Sequence, residues 1–379
     1  MAKDAFIFEI LTNKSTSEIL QTFEQIIDWD LELVNEQGQS PLHVAVMHNQ
    51  VAVVAYLLGK GYRPSQRDQT QLSPFIAAAA NGFKAVFELM LPFSPELAQV
   101  NRFGGTALHP SAEKGFLPVV ESALAAGVPP DEKNRLSWTP LLEAVILGDE
   151  GFLYQDVILA LLDYQADASM TDDFQMSSID YAEQLGHQKI TAILKEKGRG
   201  DVFTAIRQLL REGKITIAIA QLSQMPENLG VWYYLGYAYE ALGSDDSATF
   251  YYQKGLEQDI EFAYYLANLA KRQGNRDQAR HYFEQGIDQS INKTFYRYHY
   301  SNFLREIGAH EEAIAIMDQL LAADPTRVDY LFHKANSYRS LAMHQAAYDT
   351  MIEAQRIQPK NPLYGEHAQQ SKDLIERKR

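Results

Sequence analysis

The chain has 379 residues, 46% of them hydrophobic and 22% charged, with a formal net charge of −15 and no cysteine. That length accommodates two domains with substantial cores, and the missing cysteine excludes disulfides, thiol nucleophiles and cysteine-based zinc sites while fitting a reducing cytoplasm. An acidic chain without a basic stripe argues against nucleic acid and anionic membrane as partners, and neither a signal peptide nor a run of about 18 apolar residues that would predict a membrane span is present.

The two halves follow different recipes. Residues 1–199 hold 14 Lys/Arg against 26 Asp/Glu, net −12, whereas residues 200–379 hold 20 against 23, net −3. Of the 21 tyrosines, 16 lie after residue 200. Residues 1–34 form an amphipathic helical pair, with Ile7, Ile10 and Leu11 on one member and Ile19, Leu20, Phe23, Ile26 and Ile27 on the other. The pair is expected to cap the N-terminal end of the helices beyond it.

A triplet then recurs at 33-residue intervals: Ser40-Pro41-Leu42, Ser73-Pro74-Phe75, Thr106-Ala107-Leu108 and Thr139-Pro140-Leu141. A degenerate fifth copy, Ser178-Ile179-Asp180, comes 39 residues later. Ser or Thr caps a helix, and Pro fits its first turn because no N–H bond is lost there. Small residues follow (Ala45, Ala78, Ala112, Ala144, Ala182), letting neighbouring helices approach closely. The run Ser40-Pro41-Leu42-His43-Val44-Ala45 resembles the T-P-L-H-x-A signature of the ankyrin repeat. The resemblance covers residues 35–198 and implies about five helix pairs joined by hairpin loops. Departures from the family pattern are Phe75-Ile76 in repeat two, Pro110 in repeat three and about six extra residues near 148–153 in repeat four. In such repeats the position of His43 and His109 bonds backbone within the turn, so a structural role is expected for both. Phe103, Trp138 and Phe174 are assigned to the loop tips, where ankyrin stacks meet partners; these are the candidate protein-binding residues.

From residue 201 the period is 34. Trp232, Leu235, Gly236, Tyr239, Gly243, Ala248 and Tyr252 resemble the tetratricopeptide repeat. Its small positions recur as Gly236, Ala267, Ser301 and Ala335, and as Ala218, Ala248, Ala279, Ala313 and Ala347; Gly213, Gly243, Gly274 and Gly308 mark the turns. Five helix pairs are expected, with residues 362–379 as a polar cap helix. The expected fold is all-α: two helical solenoids in tandem, residues 35–198 and 201–379, after the N-terminal cap.

Within the second half an aromatic–(Tyr/His)–x–x–Asn–x–x–(Lys/Arg) motif occurs three times, 34 residues apart. The copies are Tyr264-Tyr265, Asn268 and Lys271; Tyr298-His299, Asn302 and Arg305; and Phe332-His333, Asn336 and Arg339. This spacing places the groups on one side of a helix. In tetratricopeptide proteins the residue after the small one points into the concave groove, which assigns the three asparagines to it. A side-chain amide has two donors and an acceptor, enough to pair with one residue of an extended backbone. The cations would meet a carboxylate and the aromatics would form apolar walls. Inter-repeat hydrogen bonds and common descent are the competing explanation for the same pattern. Repeat two breaks the motif with Tyr237 and Glu240, which would make the N-terminal end of the groove aromatic and acidic.

None of the phosphate-loop, dinucleotide, zinc-protease or serine-hydrolase motifs occurs. The reading is therefore not an enzyme, with no cofactor and no metal site. The chain is expected to be a cytoplasmic scaffold or adaptor with protein or peptide partners, a peptide groove in its second half and a protein-binding surface in its first. A peptide-responsive regulator and a secreted bacterial effector are the alternatives.

Overall fold

A computed structural model describes residues 2–196 and 201–377. The expected boundary at residues 198–201 and the last two residues, 378 and 379, lie wholly or partly outside them. All regular elements among the described residues are helices, apart from a single bridge between Thr171 and Ser177. The chain divides into two compact units, Met1–Arg199 and Gly200–Arg379.

In the first unit, α1 (Ala2–Asn13) and α2 (Thr16–Glu24) precede five pairs. These are α3 (Pro41–Met47) with α4 (Val51–Lys60), α5 (Pro74–Ala80) with α6 (Lys84–Met90), and α7 (Leu108–Glu113) with α8 (Leu117–Ala126). The last two are α9 (Pro140–Leu147) with α10 (Phe152–Asp163) and α11 (Ser178–Leu185) with α12 (Gln188–Glu196). The N-terminal pair buries Ile7, Ile10, Leu11, Ile19 and Phe23. Ile27, expected on the same face, is 92% exposed because α2 stops at Glu24 and the helical spacing no longer applies.

The capping chemistry read from the triplets is made in three of the four copies; in the third, α7 starts after Ala107 with no side-chain cap, and the Thr106 hydroxyl lies against His109 Nδ1 instead. The N–H groups of His43, Ile76 and Leu142 donate to the hydroxyls of Ser40, Ser73 and Thr139. In the fifth copy the cap is Ser177, not Ser178. The Asp180 N–H donates to Ser177 Oγ and the Ser177 N–H returns a bond to the Asp180 carboxylate. Phe75 and Ile76 replace the histidine chemistry of the first and third repeats with packing: both are buried and Phe75 stacks on Phe87 at 4.4 Å.

His43 and His109 are structural. The backbone N–H of Ser40 donates to His43 Nδ1 and that of Thr106 to His109 Nδ1, both at 3.0 Å. The opposite ring nitrogens face the carbonyls of Leu72 (3.1 Å) and Trp138 (3.2 Å), so each neutral ring carries its proton on Nε2 and ties one repeat to the next. Burial lowers the pKa of both, that of His109 to about 4.

The second unit contains α13 (Thr204–Arg211) with α14 (Ile215–Leu222), α15 (Leu229–Ala241) with α16 (Asp245–Leu256), and α17 (Phe262–Arg272) with α18 (Arg276–Gln289). It continues with α19 (Lys293–Glu306) and α20 (His310–Ala323), α21 (Val328–Ser340) and α22 (His344–Ile357), then α23 (Pro362–Arg377). Packing explains the small positions. A Cβ added to Gly236 would stand 2.3 Å from the Tyr252 ring, so α15 can approach α16 this closely only with glycine there. The turns between paired helices need a left-handed residue, supplied by Gly213, Gly243, Gly274 and Gly308. In the last pair the position 34 after Gly308 is Ala342, exposed and held at φ +56°.

Two stability measurements bear on the turns and the buried histidines. Ala342→Gly relieves left-handed strain in an alanine and is expected to stabilise the second unit by about 1 kcal/mol in urea melts; destabilisation would contradict the turn assignment. His109 binds protons less readily folded than unfolded, since its pKa falls from 6.5 to about 4. Lowering the pH from 7.5 to 5 protonates the unfolded chain first, so His109 is expected to cost the first unit about 2 kcal/mol over that window. His109→Gln should remove that part of the pH slope and leave the contribution of the other buried histidines, His43 and His187; an unchanged pH slope in that variant would show that the ring is not the group responsible.

Candidate peptide-binding groove and loop tips

The repeated motif lies on α17, α19 and α21 as expected, but its parts have different fates. Tyr264 and Tyr298 are 2% exposed, His299 4%, and Tyr265, Phe332 and Asn302 5%; His333 is half-buried. The aromatic members are therefore not groove walls, which corrects the expectation drawn from their spacing. They form a ladder between repeats, each rung joining residues 35 apart. Tyr264 Oη lies 3.3 Å from His299 Nδ1, and Tyr298 Oη lies 3.2 Å from His333 Nε2. Phe332 continues the ladder through an edge contact with His367 at 4.8 Å between ring centres. Tyr265 instead packs against Tyr233 (5.0 Å) and Phe262 (5.2 Å). Neighbouring helices cover these rings because hydroxyl and imidazole satisfy each other and leave the ring faces free to pack.

Apart from the buried Asn302, the polar half of the motif is less enclosed. Asn268 and Asn336 are half-buried, as are Lys271, Arg305 and Arg339. Arg305 donates to Asn302 Oδ1, and Arg339 Nη2 donates to Asn336 Oδ1 at 2.5 Å. A guanidinium can only donate, so each amide oxygen must be the atom that faces it, which aims the amide NH2 the other way. These asparagines are thus oriented before any ligand arrives. Lys271 forms an ion pair with Glu306, which stands 35 residues on, like the partners in the aromatic ladder. Glu306 lies outside the repeated motif, although the same spacing points to it.

At the broken copy, Tyr237 is half-buried and its ring lies 6.2 Å from that of Tyr233. Glu240 pairs with Arg272 at 2.5 Å and accepts a bond from Tyr252 Oη at 3.3 Å. Burial pushes its carboxyl pKa up while Arg272 pulls it back, so the acid is compensated locally.

The three aromatics assigned to the loop tips of the first unit also divide. Trp138 is buried, 7% exposed, and its indole donates to Asp172 at 3.3 Å. It occupies the position just before the capping Thr139, where its carbonyl closes the loop by accepting from the Asn134 N–H. Leu72 and Gly105 hold the equivalent places, closing their loops to Asp68 and Asn101. The expectation that Trp138 is a tip residue is therefore corrected. Phe174 is at a tip and 60% exposed. Phe103 is half-buried, with the Arg102 guanidinium 4.7 Å from its ring centre.

Among the described residues, no group of three or more His, Cys, Asp and Glu could hold a metal ion, and no helix is long and apolar enough to cross a membrane. Residues 37–69 match the family model of the ankyrin repeat, and residues 75–172 that of ankyrin repeats in three copies. Residues 229–259 and 264–361 match two models of the tetratricopeptide repeat. The chain is 32% identical over 170 residues to the ankyrin repeat protein YahD of Escherichia coli K12, a match spanning 45% of this chain and 85% of that protein. An L-asparaginase of Dirofilaria immitis is 28% identical over 167 residues, 44% of this chain but only 28% of that protein. Among solved structures, an ankyrin repeat domain from Acinetobacter baumannii is 30% identical with a TM-score of 0.48, covering 51% of this chain and 97% of its own. The chain belongs to the ankyrin-repeat family through its first half, carries tetratricopeptide repeats in its second, and is a repeat protein of the kind that mediates protein–protein interaction.

Proposed function

We propose that the second unit holds an extended peptide segment along the faces of α17, α19 and α21 that bear Asn268, Asn302 and Asn336, while the first unit engages a second protein. The observation that carries the reading is the Asn–Arg pairing. Arg305 and Arg339 hold the amide oxygens of Asn302 and Asn336, so any bond these side chains make to a ligand is donated by the NH2 group to a backbone carbonyl. Ordering these side chains in advance lowers the entropy cost of capture. Arg305 and Arg339 add positive charge beside the amides, which suits acidic side chains, whereas the charge of Lys271 is matched by Glu306. The buried aromatics take no part in contact and act by holding the helices in register.

In the first unit, the half-buried Phe103 beneath Arg102 and the exposed Phe174 offer apolar anchors at the loop tips. A protein joining two partners in this way is a scaffold or adaptor. A net charge of −15 disfavours nucleic acid as a partner, and a cysteine-free chain suits a reducing cytoplasm.

Replacing Asn268, Asn302 and Asn336 together by Ala in the full chain tests the groove. Retention of a randomised, end-blocked peptide library is expected to fall by about tenfold or more, with two or three amide-to-backbone pairs lost. The melting transition should move little, although the burial of Asn302 makes a small loss expected. Library retention equal to that of the unaltered chain would remove the groove from the account.

A further inference from the structure

Helix α23 does more than close the stack, because it repeats the earlier first helices position by position. Tyr296, Tyr330 and Tyr364 stand 34 residues apart and are all buried. Ser337 and Ser371, again 34 apart, are both fully buried. Each donates its hydroxyl to the carbonyl of the histidine four residues back, His333 at 3.4 Å and His367 at 3.1 Å. His367 then meets Phe332 as His333 meets Tyr298 and His299 meets Tyr264. The matching burial, the matching bonds within each helix and the contact of His367 with Phe332 together place α23 in the register of α19 and α21.

In that register the residue 34 after Asn336 is Gln370, and the residue 34 after Arg339 is Asp373. Both are exposed. The amide row thus continues through Asn268, Asn302 and Asn336 to Gln370, whereas the cation row Lys271, Arg305 and Arg339 ends on a carboxylate. The other acids beside that row, Glu240 and Glu306, are matched by Arg272 and Lys271. Asp373 accepts instead from the neutral Gln369 amide at 2.7 Å, a bond that does not offset its charge.

We infer that α23 supplies the last rung of the groove, with Gln370 extending the backbone-reading row and Asp373 selecting a basic side chain beyond the acidic ones. The ligand is accordingly an extended peptide with acidic residues along the Arg305 and Arg339 rungs and a Lys or Arg at one end. This rests on the groove reading above and adds the charge order of its ligand. Opposite charges across such a surface discriminate partners even where each exposed pair adds little affinity.

The test uses end-blocked, fluorescein-labelled ten-residue peptides with alternating Glu and a Lys at the C-terminal end, at the N-terminal end, or replaced by Glu. Anisotropy titrations are run on the full chain, on Asp373→Lys, on Gln370→Ala and on the triple Asn variant. The unaltered chain is expected to prefer one Lys-bearing peptide over the all-Glu peptide by about threefold to tenfold, the scale of exposed pairs. Asp373→Lys should reverse that preference, and Gln370→Ala should weaken all three peptides alike. Both residues are exposed, so the substitutions leave the packing of α23 in place. If both variants bind every peptide like the unaltered chain while the triple Asn variant loses them, the groove stands but ends at α21, and the inference is overturned. If the triple Asn variant also binds like the unaltered chain, or no peptide binds at all, the groove reading falls and takes this inference with it.

Discussion

The 35-residue rung between an aromatic ring and a histidine is the contact on which the second unit's site depends. Tyr264 with His299, Tyr298 with His333, and Phe332 with His367 each lock one first helix to the next. Each rung buries large ring surfaces, and in the two tyrosine rungs a polar group is also satisfied in place. A slip of one residue along any helix would break a rung and turn the neighbouring asparagine off its row. Register is therefore enforced by side chains that never touch a ligand, and the polar row three residues further along inherits it.

On that frame the arginines have two roles. Arg305 and Arg339 add positive charge, and they also hold the amides of Asn302 and Asn336 in one orientation. A neutral replacement would remove both effects together, whereas lysine would keep the charge and lose the planar donor geometry. Lys271 at the first rung is engaged with Glu306, so the three cations are not equivalent. The first unit follows the same logic by other means. Its histidines His43 and His109 bridge successive loops through neutral rings, which ties loop spacing to the protonation state of buried groups.

Much of this was legible in the sequence, for physical reasons that also set the limit. Helix caps and turns are local, so Ser40, Ser73, Thr139 and the left-handed glycines could be read from their neighbours alone. Ser177 was displaced by one because the extra residues of repeat four blurred the count. The burial of Tyr264, Tyr298 and Phe332 was not legible, because helical spacing assigns residues to a face without saying whether the next repeat covers it. Trp138 misled for a related reason: it looks like an exposed anchor, yet it precedes a cap, where the chain turns inward to close the loop. The continuation of the rows to Gln370 and Asp373 was present in the spacing but hidden, since the small residue that marks a first helix is replaced by Gln369 in α23.

The central claim is that the amide row reads the backbone of an extended chain. It is tested most directly by taking the tightest-binding peptide and replacing every second backbone carbonyl by a thiocarbonyl, a weaker acceptor, in comparison with alanine replacement of the uncharged side chains at the same residues. Weakening of the backbone acceptors is expected to lower affinity by about tenfold or more, with the alanine series changing it by less than about threefold. Equal tolerance of thiocarbonyl and alanine replacement, or greater sensitivity to the latter, would contradict backbone recognition and leave the asparagines as part of the helix packing alone.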